Sequence, residues 1–207
     1  YWNIDREKEK KMMLNYSFNF IPRLDSILPE IKKIDLYNAK DFNKITKLKD
    51  NWPGFRSLPL EDSNIILYEY INSLIFNGNF LDKGIYSISS FIHLRLEEDN
   101  DKDWIHQDNH DWAGLLYLSE TNYNSGTRIY DNNKNMIIDL KFVKNSFVFY
   151  PGNYYHKGYG HHGQNIENGR LTLNLFIDKK WLSIYWKRYI TIQQPWPHGH
   201  GLNYTET

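Results

Sequence analysis

The chain has 207 residues, 41% hydrophobic and 16% aromatic, which is enough apolar surface for one folded domain with a sizeable core and too much for a disordered chain. Its 25 Lys and Arg cancel 25 Asp and Glu, so there is no bulk charge to attract nucleic acid or anionic lipid, and only a local patch is left open. With no Cys, disulfides, thiolate metal sites and a cysteine nucleophile are excluded, and any transition metal must be held by His and carboxylates.

No run approaches the roughly 20 apolar residues of a membrane helix, and no apolar segment follows the charged first eleven residues, so a soluble, cytoplasmic protein without a membrane partner is expected. A leader before Tyr1 stays open. Leu24 to Lys49 mixes apolar and charged residues at loose helical spacing, broken by Pro29, and predicts one or two short helices. Asn51-Trp-Pro-Gly-Phe-Arg56 is turn chemistry. Glu61 to Phe76 reads as an amphipathic helix starting near Ser63.

From residue 85 the texture becomes β-rich, with runs at Ile85–Leu96, Trp104–Gln107, Gly114–Leu118, Thr127–Asp131, Met136–Val143, Ser146–Tyr150 and Arg170–Ile177. Roughly seven or eight strands predict a mainly β protein with N-terminal helices, its core a double-stranded β-helix of the jelly-roll or cupin type. The expected organisation is a helical support region over 1–84, a catalytic core over 85–180 and a tail over 181–207, all within one domain.

His106-Gln107-Asp108 ends a strand-like run, where residues i and i+2 share a face, so an imidazole and a carboxylate can share one metal. By itself such a pair is weak evidence and more often belongs to a surface loop. A second His from a later strand would complete a 2-His-1-carboxylate facial triad with open positions on Fe(II); His156, His161 and His162 follow an apolar run and are the candidates. In Arg170-Leu-Thr-Leu-Asn-Leu-Phe-Ile177, Arg170, Thr172 and Asn174 face one way and the leucines the other, which suits a strand lining a polar pocket. The planar guanidinium matches a carboxylate.

The ordered series His106-x-Asp108, Leu115-Leu-Tyr-Leu-Ser119, Ser125-Gly-Thr127, Phe147-Val-Phe-Tyr-Pro-Gly152, His156 and Gly169-Arg-Leu-Thr172 resembles the Fe(II)/2-oxoglutarate-dependent oxygenase superfamily, most closely its prolyl-hydroxylase-like branch. Within that branch it is similar to a little-characterised bacterial and viral group, for which Trp52-Pro-Gly-Phe-Arg56 resembles an upstream motif. The resemblance spans about residues 85 to 178. It implies a hydroxylase that uses Fe(II), 2-oxoglutarate and O2, with ascorbate in support, and acts on a peptide, amino acid or small molecule. His106 and Asp108 become metal ligands, Arg170 the partner of the cosubstrate C5 carboxylate, Tyr117 a second contact to that carboxylate, and Thr172 a further cosubstrate residue. For the distal ligand, a spacing of 9 residues before Arg170 selects His161 and one of 14 selects His156. The longer spacing of the nearer group favours His156.

Plainer readings stand beside these. Arg170 would pair with Asp139 or Asp178; His110 and Asp111 would be turn residues or supports behind the metal ligands; His93 would pack or bond within its strand; Glu97–Asp101 would be a solvated turn. His198-Gly-His200 reads as exposed sequence, and Trp181 and Trp186 as core or interface. The rival functions are a non-catalytic ligand-binding roll and a cupin-type metal isomerase, the latter expected to carry more His and an acidic fourth ligand.

Overall fold

The computed structural model describes residues 14–47, 49, 51–82, 84–99 and 102–180. The sequence expectations for Leu48, Asp101 and the tail 181–207, with Trp181, Trp186, His198 and His200, lie outside the described residues. In chain order the elements are β1 (Asn15–Ser17), α1 (Leu24–Ile31), β2 (Tyr37–Asn38), α2 (Ala39–Thr46), β3 (Phe55–Arg56), α3 (Leu60–Ser63), α4 (Ile65–Asn77), β4 (Ile85–Arg95), β5 (Trp112–Tyr117), β6 (Asn122–Tyr130), β7 (Met136–Phe142), β8 (Phe147–Pro151), β9 (Tyr155–Tyr159) and β10 (Arg170–Lys180).

Two antiparallel sheets face each other. The larger has the order β1-β8-β5-β10-β4-β3-β2 and the smaller β7-β6-β9. The centre of the larger sheet is β10, paired with β4 from Arg170↔Arg95 to Lys180↔Ile85 and with β5 from Thr172↔Tyr117 to Ile177↔Trp112. Its two faces belong to two cores. Leu171, Leu173, Leu175 and Ile177 pack with Ile92, Leu116, Phe147 and Phe149 against Leu24, Leu28 and Ile31 of α1 and Leu67, Ile71 and Ile75 of α4. On the inner side, Ala113, Leu115, Tyr117, Val148 and Tyr150 meet Ile129, Leu140 and Phe142 of the smaller sheet. β5 and β8 are apolar on both faces because each is buried on both, and each fully buried large side chain contributes about 1.5–3 kcal/mol.

Pro29 does not break its helix. It sits two residues before the end of α1, where only one interior hydrogen bond is lost, and the break falls after Ile31. The long helix starts at Ile65, two residues beyond Ser63: Asn64 caps α4 by accepting from Leu67 N at 3.1 Å, with α3 a separate turn before it. Tyr68 Oη donates to Ile88 O at 3.1 Å and ties α4 to β4. Among the described residues no helix is long and apolar enough to cross a membrane.

Candidate active site

The end of the roll between the sheets is open, and a cavity of about 430 Å³ enters there. Its floor carries His106, Asp108 and His156, whose ligand atoms all lie within 4.8 Å of one another. The expected strand at Trp104–Gln107 is instead irregular backbone held by one bridge: His106 N donates to His156 O at 3.0 Å and His156 N to His106 O at 2.8 Å. Asp108 N donates to Gly152 O at 2.9 Å. This pinning brings the two rings to 4.3 Å between centroids and sets His156 Nε2 3.5 Å from Asp108 Oδ2.

Each imidazole is oriented by its own backbone two residues earlier. His106 Nδ1 lies 2.9 Å from Trp104 O, and His156 Nδ1 3.0 Å from Tyr154 O. A carbonyl only accepts, so each Nδ1 carries the proton and each Nε2 keeps a lone pair for the site. Burial pushes His156 below the usual imidazole range, outweighing the opposite pull of Asp108, and so favours the neutral, ligating form. Among the described residues this is the group of His and carboxylates whose geometry could hold a metal. His161 and His162 stand elsewhere. They line a second cavity of about 290 Å³, where burial and then Arg170 and Arg95 push His162 down to about 3.

The back of the main cavity is cationic. Arg170 is 6% exposed, and its Nη2 donates to Thr127 Oγ1 at 3.2 Å. Tyr117, fully buried, donates its hydroxyl to the same Thr127 Oγ1 at 2.9 Å, and burial pushes its phenol up to about 12. Thr127 Oγ1 accepts twice, which fills its lone pairs and leaves its own proton for an acceptor in the cavity it lines. Neither Asp139 nor Asp178 pairs with Arg170: Asp139 holds Lys141 at 2.9 Å and Asp178 holds His110 at 2.9 Å. Tyr117 and Thr172 do not reach the cavity wall. Thr172 is fully buried and donates to Asn174 Oδ1 at 2.9 Å, orienting Asn174, which does line it.

Sequence reasoning left several residues of this site without a role. Arg95 stands beside Arg170 across β4 and β10, buried, with its Nη1 2.8 Å from Asp103 Oδ2. Asp103 Oδ2 also accepts from Gly158 N at 2.7 Å. A Cβ at Gly158 would stand 2.8 Å from Arg95 Nη1 and 2.9 Å from Asp103 Oδ2, so the pair needs a glycine there. Regular spacing carries no sign of Asp103. The signal available was Arg95 in an otherwise apolar strand end, which demands a buried counter-charge.

Other expectations resolve in detail. His93 bonds outside its strand, its Nε2 2.8 Å from Pro53 O, and burial followed by the nearby Arg56 charge pushes its pKa well down. His110 and Asp111 are held by β10: Asp111 N donates to Asp178 Oδ1 at 3.1 Å and Lys179 N to Asp111 Oδ2 at 2.9 Å. The acidic turn is not wholly solvated, because Asp99 is buried and its Oδ2 accepts from Leu96 N at 3.0 Å.

No family model and no curated protein matches the sequence. The structure is similar to a prolyl 4-hydroxylase from Pseudomonas putida, with TM-score 0.51 and 14% identity over 83% of this chain and 95% of that one. It is also similar to prolyl 4-hydroxylase from Phytophthora capsici, with TM-score 0.53 and 11% identity over 86% of this chain and 67% of that one. HygX from Streptomyces hygroscopicus, solved with nickel and 2-oxoglutarate bound, gives TM-score 0.59 and 8% identity over 88% and 89% of the two chains. The mainly β jelly-roll fold expected from the run of short strands is therefore the fold found, shared with prolyl 4-hydroxylases and a 2-oxoglutarate-binding protein.

Proposed function

We propose that this chain is an Fe(II)- and 2-oxoglutarate-dependent dioxygenase that hydroxylates a C–H bond of a peptide, amino acid or small molecule. One observation carries the reading: a buried arginine without a carboxylate partner among the described residues stands at the back of the same cavity whose floor gathers two imidazoles and a carboxylate. A ligand-binding roll has no need of that combination. A cupin isomerase has no need of the arginine.

The residues fit the metal. Two imidazoles, each with Nδ1 tied to a carbonyl, and one carboxylate bring their ligand atoms within 4.8 Å of one another, which is the donor set of a facial triad. His106, Asp108 and His156 would hold Fe(II). With 2-oxoglutarate and O2 as co-reactants, Fe(II) held there would supply oxidative decarboxylation, one oxygen atom of O2 going to succinate and the other into a substrate C–H bond, with release of CO2. The chain's own part is placement. Arg170 and the free Thr127 proton would hold the C5 carboxylate, with Tyr117 fixing Thr127 from behind and Thr172 holding Asn174 in the wall. Arg95 would be neutralised by Asp103, which leaves Arg170 as the charge offered to the cosubstrate. Tyr150, kept protonated by burial and by the nearby Asp108 charge, packs edge-on to His156 at 5.3 Å and walls the metal side from water.

Succinate formation tests this. The purified chain with Fe(II), ascorbate and 2-oxoglutarate should release succinate above the rate without protein, and omission of Fe(II) should remove it. A folded protein giving no succinate would count against the reading.

A further inference from the structure

Arg95 and Arg170 are register partners on β4 and β10, so two guanidiniums enter the same end of the cavity, an arrangement that burial and mutual repulsion both oppose. They are close. A Cβ at Gly158 would stand 2.8 Å from Arg95 Nη1 and 3.7 Å from Arg170 Cζ, so the two groups flank one glycine of β9. The C5 carboxylate of the cosubstrate asks for only one of them. The protein itself occupies the other: Arg95 Nη1 donates to Asp103 Oδ2 at 2.8 Å and Nη2 to Asp99 O at 3.1 Å. Asp99 lends only its main-chain carbonyl there, since its carboxylate faces Lys102 at 3.9 Å and accepts from Leu96 N at 3.0 Å. Asp103 is fixed in turn. Its Oδ2 also accepts from Gly158 N at 2.7 Å and its Oδ1 from Trp104 N at 3.1 Å, which keeps it on Arg95 and away from Arg170.

Two guanidiniums and one carboxylate leave a single positive charge at this end, on Arg170. His162 adds none, because burial and then these two arginines hold it neutral. Apolar side chains of similar volume often replace a buried ion pair at no cost in stability, so stability alone does not account for Arg95 and Asp103. Their electrostatic effect is specific: loss of either one changes the charge met by a ligand by one unit and leaves Arg170 in place. A carboxylate neutralises the charge that remains. A dianionic end would bring one negative charge too many into a desolvated site, and an uncharged end would leave Arg170 unpaired.

We infer that the Arg95–Asp103 pair sets the charge selectivity of the anchor, holding it at one net positive charge so that it accepts a keto acid whose far end is a carboxylate and rejects one whose far end is a dianion. The inference rests on the dioxygenase reading. Arg95 and Asp103 act through the charge they leave on Arg170.

The test titrates three keto acids anaerobically into the Fe(II)-loaded chain by calorimetry. They are 2-oxoglutarate, 2-oxo-4-phosphonobutanoate, which carries a phosphonate in place of the C5 carboxylate and is used above its second ionisation, and 2-oxopentanoate, which ends in a methyl group. The wild type should bind 2-oxoglutarate at least tenfold tighter than either analogue. Asp103→Asn keeps an acceptor for Gly158 N and adds one net positive charge, so the ratio of phosphonate Kd to carboxylate Kd should fall at least tenfold. Ligand size is the same in both proteins, and the change in ratio therefore reads charge. Arg95→Met should weaken 2-oxoglutarate at least tenfold with Arg170 intact, and the double variant Arg95→Met/Asp103→Asn, which restores the single charge, should return to the wild-type preference. These two keep the test decisive if Asp103→Asn fails to fold. An unchanged ratio in folded Asp103→Asn, unchanged 2-oxoglutarate affinity in folded Arg95→Met, or a wild type or double variant that binds the phosphonate as tightly as 2-oxoglutarate overturns the inference. A folded wild type that binds none of the three would instead strike the dioxygenase reading itself.

Discussion

Replacing Arg170 with Met removes a charge while keeping much of the volume, and the structure sets opposite expectations for binding and for stability. Arg170 is 6% exposed; its Nε has no partner and Nη2 reaches only the neutral Thr127 hydroxyl at 3.2 Å. Burial lowers its pKa from the ordinary guanidinium value, the mark of a charge held at a cost in the free protein. The incoming C5 carboxylate would be its counter-charge, and losing one partner of such a desolvated pair is typically worth about 2 to 5 kcal/mol. At tenfold per 1.4 kcal/mol, the Kd for 2-oxoglutarate should rise roughly 30- to 4,000-fold. Without cosubstrate the variant should be as stable as the wild type or more so, because an unpaired buried charge has been replaced by an apolar chain. Anaerobic calorimetric titration of 2-oxoglutarate into the metal-loaded protein, with thermal unfolding of the ligand-free forms, reads both. A Kd within threefold of wild type in the folded variant would refute the anchor role.

Four further outcomes follow from the same geometry. Asp108→Ala and His156→Ala should abolish Fe(II)-dependent turnover while His161→Ala keeps it, since His161 lines the other cavity; succinate assays on the three variants decide. Asp103→Asn strands Arg95 in a site where the two side chains are 4% and 10% exposed, which should cost about 3–5 kcal/mol and lower Tm by roughly 6–20 °C in a thermal melt. Gly54→Ala forces a Cβ to 2.3 Å from Leu94 O at a positive φ and should cost about 1–3 kcal/mol or more, measured as a shift in denaturant midpoint. Partial burial pushes the Asp178 carboxyl up, but hydrogen bonds from His110 and the Asp111 amide hold it below 3.8 on balance. Its contribution to stability is therefore present above 3.8 and lost as pH falls through the lower folded value, so the stability gap between wild type and Asp178→Asn should be full at pH 6 and shrink below pH 4.

The apolar strands could be read from sequence because β4, β5, β8 and β10 each carry uninterrupted or alternating hydrophobic residues that fill two cores. Strand β9 could not. Its inward positions are His156 and Gly158, so the alternation that marks a half-buried strand is replaced by an imidazole and a contact glycine. The reverse error at Trp104–Gln107 has the same origin: Asp103 accepts a hydrogen bond from Gly158 N, Asp108 N donates one to Gly152 O, His106 is held by a lone bridge to His156, and the backbone gives up strand pairing to aim them. His106, Asp108 and Arg170 were visible through spacing and alternation. Arg95 and Asp103 were not, and Thr127 entered only within the motif series without a task, because the three come together only when β4, the irregular segment before β5, and β6 meet at one end of the roll.

The central claim is that His106, Asp108 and His156 form one metal site which 2-oxoglutarate enters with its far end on Arg170. The most direct test is an anaerobic titration of Fe(II) and 2-oxoglutarate into the wild-type chain, followed by the visible charge-transfer absorption that arises when the keto acid chelates iron. The account predicts a band saturating at one Fe(II) per chain, absent in Asp108→Ala, and requiring far more 2-oxoglutarate in Arg170→Met. No band in the folded wild-type protein, or a band unchanged in Asp108→Ala, would contradict it.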